Sequence, residues 1–167
     1  MKTAAFLLAL TGTIVAFVAA QVGSAAPSGP VQLHLLDVPR SSVPVGTAAQ
    51  HKSPQPGDQV LLTDDVYAWN GAKRGARVGR VEASLNFRTG FSFEKGGLVY
   101  VYGQLFLANG AIMVEGFIHI GSGASPFVMP VVGGVGKYAG VRGTLTSQDI
   151  GSDHEKSAWT LNLVDGD

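Results

Sequence analysis

The chain has 167 residues (17.3 kDa), with 12 Lys and Arg against 12 Asp and Glu, no cysteine, and 23 glycines. Absence of cysteine excludes disulfide scaffolds, thiol nucleophiles, thiolate zinc sites and iron–sulfur clusters. Charged residues make up only 14% and balance to zero, so the chain has no electrostatic footprint for nucleic acid or an anionic membrane.

The first 25 residues read as a secretory leader. Lys2 precedes an apolar run from Ala4 to Ala20, interrupted only by Thr11, Gly12 and Thr13. Small-residue cleavage patterns follow, before Gln21 or before Ala26. Removal of residues 1–25 takes away one lysine and leaves 142 residues with 11 basic and 12 acidic side chains. The expected product is secreted or extracytoplasmic, with no stable membrane insertion once the leader is gone. None of Asn70, Asn86, Asn109 and Asn162 starts an N-x-S/T sequence.

Residues 26–58 are expected to hold one strand, 31–37, and then a long Pro-rich loop carrying Pro39, Pro44, Pro54 and Pro56. Residues 59–167 form the remainder of the same domain, with strands predicted near 59–67, 76–87, 98–107, 111–120, 126–132, 141–150 and 157–164. No clean 3.6-residue apolar period appears. Asn109-Gly110 marks a tight hairpin. Eight short strands joined mainly by hairpins predict an all-β, eight-stranded antiparallel up-and-down barrel, which leaves no exposed sheet edge.

Strand 98–107 is apolar on both faces: Val99, Val101, Leu105 and Leu107 alternate with Tyr100, Tyr102, Gln104 and Phe106. In 111–120, Ile112, Val114, Ile118 and Ile120 oppose Met113, Glu115, Phe117 and His119. Two apolar faces need covering on both sides, which points to a filled or ligand-holding lumen and to homo-oligomerisation through the outer wall. Strand 76–87 places Arg80 and Glu82 on one polar face, either a solvated wall or an ion pair near a ligand. Glu115, between Met113 and Phe117, is either a strand-tying partner or a carboxyl desolvated toward general-acid use.

Other chemistry fails on context. Gly134-Val135-Gly136-Lys137-Tyr138-Ala139 matches a dinucleotide fingerprint but leads into a strand. His34, His51, His119 and His154 lack paired ligand spacing, and no H-E-x-x-H or G-x-S-x-G occurs. No cofactor or metal is expected.

The segment Met129-Pro130-Val131-Val132-Gly133-Gly134-Val135-Gly136-Lys137-Tyr138-Ala139-Gly140-Val141-Arg142-Gly143 resembles the M-P-V-V-G-G signature of dirigent proteins and the glycine-rich stretch of allene oxide cyclases. Thr63-Asp64-Asp65-Val66-Tyr67, Val78-Gly79-Arg80-Val81-Glu82 and Leu33-His34-Leu35-Leu36-Asp37 are similar to further dirigent segments, in the same order. The resemblance implies an antiparallel barrel, commonly trimeric, that binds a small hydrophobic or phenolic intermediate and steers its cyclisation or coupling without a cofactor. It also carries Asp37, Asp65 and Arg80 as candidate catalytic positions beside Glu115, with Glu82, Tyr100, Tyr102, Met113 and Phe117 as candidate substrate contacts. Phe127 and Val128 replace the usual Arg-Glu before the signature, the Ala108-Asn109-Gly110 turn lacks the family tyrosine, and the cyclase pocket cysteine cannot exist here. A cofactor-free cyclase or isomerase therefore stands beside a non-catalytic ligand-binding or oligomeric barrel. A lumen with at least two carboxylates and an Arg or Tyr favours the first, an entirely apolar lumen favours the second, and a lumen filled by side chains excludes both and leaves a structural role.

Overall fold

The computed structural model describes residues 29–92, 94–121, 126–150 and 156–166. The leader and His154 lie outside the described residues. Eight strands follow in chain order: β1 (Val31–Val45), β2 (Gln59–Trp69), β3 (Arg74–Phe87), β4 (Gly97–Leu107), β5 (Gly110–Ile120), β6 (Phe127–Gly136), β7 (Val141–Ile150) and β8 (Lys156–Asp165). Each pairs antiparallel with the next, and β8 pairs with β1 to close the barrel. Alternate residues of every strand point inward, where Leu35, Val66, Val81, Val99, Leu105, Ile112, Leu145 and Leu161 belong to one buried cluster.

Two segments differ from the sequence expectation. The first strand does not stop at Asp37 but continues through Pro39 and Pro44 to Val45. The physical reason is edge position. Among the described residues, β1 beyond Asp37 pairs only with β2, because the β8 ladder ends at Asp37–Ser157. A proline lacking its N–H is tolerated where one side of a strand has no partner. A bulge between Pro39 and Ser41 leaves Arg40 outside the register. The glycine-rich corner is also narrower than expected: β6 continues through Gly133 and Gly134 to Gly136, and residues 137–140 alone make the turn.

The two ends of the barrel are unlike. At one end the connections are short: residues 70–73, 108–109 and 137–140. Asn70 closes the first by accepting the Ala72 and Lys73 amides at 3.0 and 2.7 Å. Val31, Leu33, Tyr138, Val141 and Leu163 line a recess of only about 70 Å³ there. At the other end lie the long β1–β2 link, containing a 3-10 turn at Gly46–Gln50, and the β3–β4 link of residues 88–96. Long loops on a rigid scaffold are the usual seat of binding chemistry.

The two long loops hold each other. Gly57 donates to the Phe87 carbonyl at 2.8 Å, and Phe91 to the Pro54 carbonyl at 3.0 Å. The Asp58 carboxylate, buried at 3% exposure, meets His51 Nδ1 at 2.7 Å and accepts the Gln55 amide at 2.8 Å. Those hydrogen bonds, from His51 first and Gln55 second, hold its carboxyl below the usual aspartate range. A depressed carboxyl supports the fold above its ordinary range and loses that support as pH falls through the folded value. His51→Ala is therefore expected to raise amide exchange of residues 51–58 at neutral pH, with a smaller difference from the native protein in acid. Hydrogen-exchange mass spectrometry at both pH values checks it.

Candidate functional site in the lumen

Among the described residues, polar side chains enter the lumen from one side. Strands β3 to β6 present Val81, Phe87, Val99, Val101, Val114, Ile118 and Met129, all buried. Strands β7, β8, β1 and β2 present Ser147, Trp159, Asp37 and Asp64, also buried. Register puts them side by side: Ser147 faces Trp159 on β8, Leu35 beside Asp37 faces Trp159, and Asp37 faces Val66, two residues from Asp64. Asp149 and Ser157, paired across β7–β8, extend the arc toward the long-loop end with a 3.3 Å hydrogen bond.

The two aspartates differ in what supports their charge. Burial first, and the charge of Asp64 second, push the Asp37 carboxyl up to about 8. Burial also raises Asp64, but the Arg40 backbone N–H opposes the shift. That N–H is free to serve because the bulge takes Arg40 out of the β1–β2 ladder; bulges commonly re-aim groups beside a site. Asp37 is thus the member that keeps its proton at neutral pH, and Asp64 the member better able to ionise.

Of the residues expected from sequence, Asp37 is the one in the lumen. Asp65 faces outward, bonded to Arg77 at 2.6 Å with Arg40 at 3.8 Å. Arg80 and Glu82 pair at 2.9 Å on the outer wall, about half exposed, and Arg80 stacks on Phe106. Glu115 accepts a hydrogen bond from the Tyr100 hydroxyl across β4–β5, which raises the Tyr100 hydroxyl pKa. Tyr102, Met113 and Phe117 share that outer wall, with Phe117 against Tyr100 at 5.2 Å between ring centroids. Asp64 and Trp159 were not among the sequence candidates. Their signal is present: Asp64 lies between Leu62 and Val66, and Trp159 heads the alternating apolar set Trp159, Leu161, Leu163.

The closed eight-stranded barrel has the fold of several solved structures, a dirigent protein among them. A pyocyanin demethylase structure superposes with a TM-score of 0.61 at 20% identity, covering 80% of this chain and all of the other. A pterocarpan synthase dirigent protein superposes at 0.66 and 15% identity, covering 83% and 97%. An exo-specific intermolecular Diels-Alderase superposes at 0.58 and 18% identity, covering 81% and 98%. No family model and no curated protein sequence matches the chain.

Proposed function

We propose that this protein binds a small hydrophobic or phenolic molecule at the long-loop end of its lumen and, without a cofactor, controls the cyclisation or coupling of that molecule. The observation that carries the reading is the buried Asp37–Asp64 pair on the polar arc of the interior, opposite the apolar wall of β3 to β6. Two carboxyls with unequal support divide the labour: Asp37 donates a proton and Asp64 accepts one. The apolar wall opposite presses the ligand into one geometry and excludes water. Barrels of the same fold include dirigent and Diels-Alderase proteins, which is consistent with such chemistry.

The test uses protein lacking the leader and a panel of quinone-methide precursors and tethered diene–enones, with product handedness read by chiral chromatography. The expected result is an enantiomeric excess over the uncatalysed reaction and a rate loss of roughly 10²-fold or more in Asp64→Asn. Tight binding with a racemic product would instead favour the non-catalytic barrel. The leader reading predicts exported protein beginning at Gln21 or Ala26, checked by N-terminal sequencing.

The same reading includes self-association. Phe117 and Val128, each more than half exposed on neighbouring strands β5 and β6, form an apolar outer surface with Tyr102 and Val132. Docking of further copies there, as a trimer, accounts for a wall that solvent alone does not favour. Phe117→Glu is expected to shift the assembly to monomer in light scattering while the circular dichroism spectrum stays that of the barrel.

A further inference from the structure

Among the described side chains, two buried polar atoms have no hydrogen-bond partner: Asp37 Oδ1 and the Trp159 indole Nε1. A buried group left unpaired is strongly unfavourable, and such groups are few in folded proteins. Here both occur on adjacent strands of the same lumen wall. Asp37 faces Ser157 and Leu35 faces Trp159, so the two stand diagonally across the β1–β8 ladder, about 7–8 Å apart at the backbone. Their residues are 7% and 9% exposed. Packing accounts for the bulk of the indole but not for its stranded N–H.

The chemistry of the pair narrows the ligand. An indole N–H donates and never accepts. A neutral carboxyl has one O–H to donate. With that O–H on the unpaired Oδ1, two donors near each other on this wall suit a single oxygen with two lone pairs and no proton of its own. We propose that the lumen ligand carries a carbonyl oxygen, as in a ketone, enone or quinone, held between the Trp159 N–H and the Asp37 carboxyl. This rests on the lumen-binding reading above and adds the functional group that is recognised. Two hydrogen bonds to one carbonyl withdraw electron density from the conjugated carbons, which favours ring closure onto them.

The test compares three molecules of nearly equal shape, α-tetralone, 1-tetralol and tetralin, by displacement of a fluorescent apolar dye from protein lacking the leader. The expected result is binding of all three, with tetralone favoured over tetralin by about tenfold or more after correction for water solubility. The bound ketone should also show a carbonyl stretch moved to lower frequency. Trp159→Phe and Asp37→Leu should each remove about tenfold of the ketone's advantage, and Asp37→Asn, which still donates, should retain part of it. Equal binding of tetralone and tetralin, with an unshifted stretch, overturns the carbonyl site and leaves lumen binding standing; a bound water then satisfies the two donors. Displacement by none of the three overturns both. The infrared measurement needs only the native protein, so a variant that fails to fold does not shield the proposal.

Discussion

Asp37→Asn should make the protein more stable at pH 8, by on the order of 3 kcal/mol, and remove most of its loss of stability with rising pH. In the folded chain burial lifts this carboxyl to about 8, from an ordinary value near 3.8. Between those values the folded state keeps a proton that the unfolded state has released, so the Asp37 contribution to stability is fully present below pH 4 and is lost progressively up to about pH 8. The full shift sets an upper limit of roughly 6 kcal/mol, from which the desolvation of the new amide must be subtracted. Urea denaturation at pH 5 and pH 8 measures the effect, with the native protein losing stability and the variant nearly level. A native protein equally stable at both pH values would mean that Asp37 is solvated. Under the proposed function the same substitution removes the proton donor, so the more stable variant should be the less active one. The alkaline limb of the activity profile, expected near pH 8, should disappear with it.

Gly143→Ala should abolish the soluble barrel or destabilise it by about 3–5 kcal/mol. Gly143 pairs with Val131 on one side and Leu163 on the other, and its φ of +146° lies where side chains are rarely found. A Cβ built there would overlap the Asn162 carbonyl oxygen and press on Leu163 Cα at 3.1 Å, backbone atoms that cannot turn aside. Gly103→Ala is the control. Its Cβ would meet a Val114 methyl at 3.1 Å, a side chain with room to adjust, so about 1 kcal/mol is expected. Thermal melts of the two variants should separate by many degrees. Equal melts would show that β7 shifts to relieve the overlap.

The strands were legible because a period of two persists along each of them and glycine or proline breaks it at the ends. What two-residue periodicity cannot say is which face is inside when both are apolar. Tyr100 and Phe117 are as hydrophobic as Val99 and Ile118, yet the former face outward and the latter inward. Glu115, placed between Met113 and Phe117, drew attention by the same logic that applies to Asp64 between Leu62 and Val66. Only register distinguishes them, because register joins each residue to its partners around the closed ring. Within Asp64-Asp65 a shift of one position exchanges a lumen carboxyl for an outer ion pair. The continuation of β1 was hidden for another reason: Pro39 and Pro44 normally end a strand, and the short β8 ladder that permits them becomes visible only in three dimensions.

Those two prolines also bear on how the molecule meets others. Among the described residues, Val38 to Val45 of β1 have no partner strand opposite β2, and a margin of that kind is one that a foreign strand could extend, the route by which edge-exposed sheets seed aggregates. Pro39 and Pro44 interrupt the run of amide donors along it, and the Arg40 bulge spoils its straightness. Pairing closes all eight seams of the barrel, completely or in part, and chemistry blunts this overhang, so association by strand capture is discouraged there.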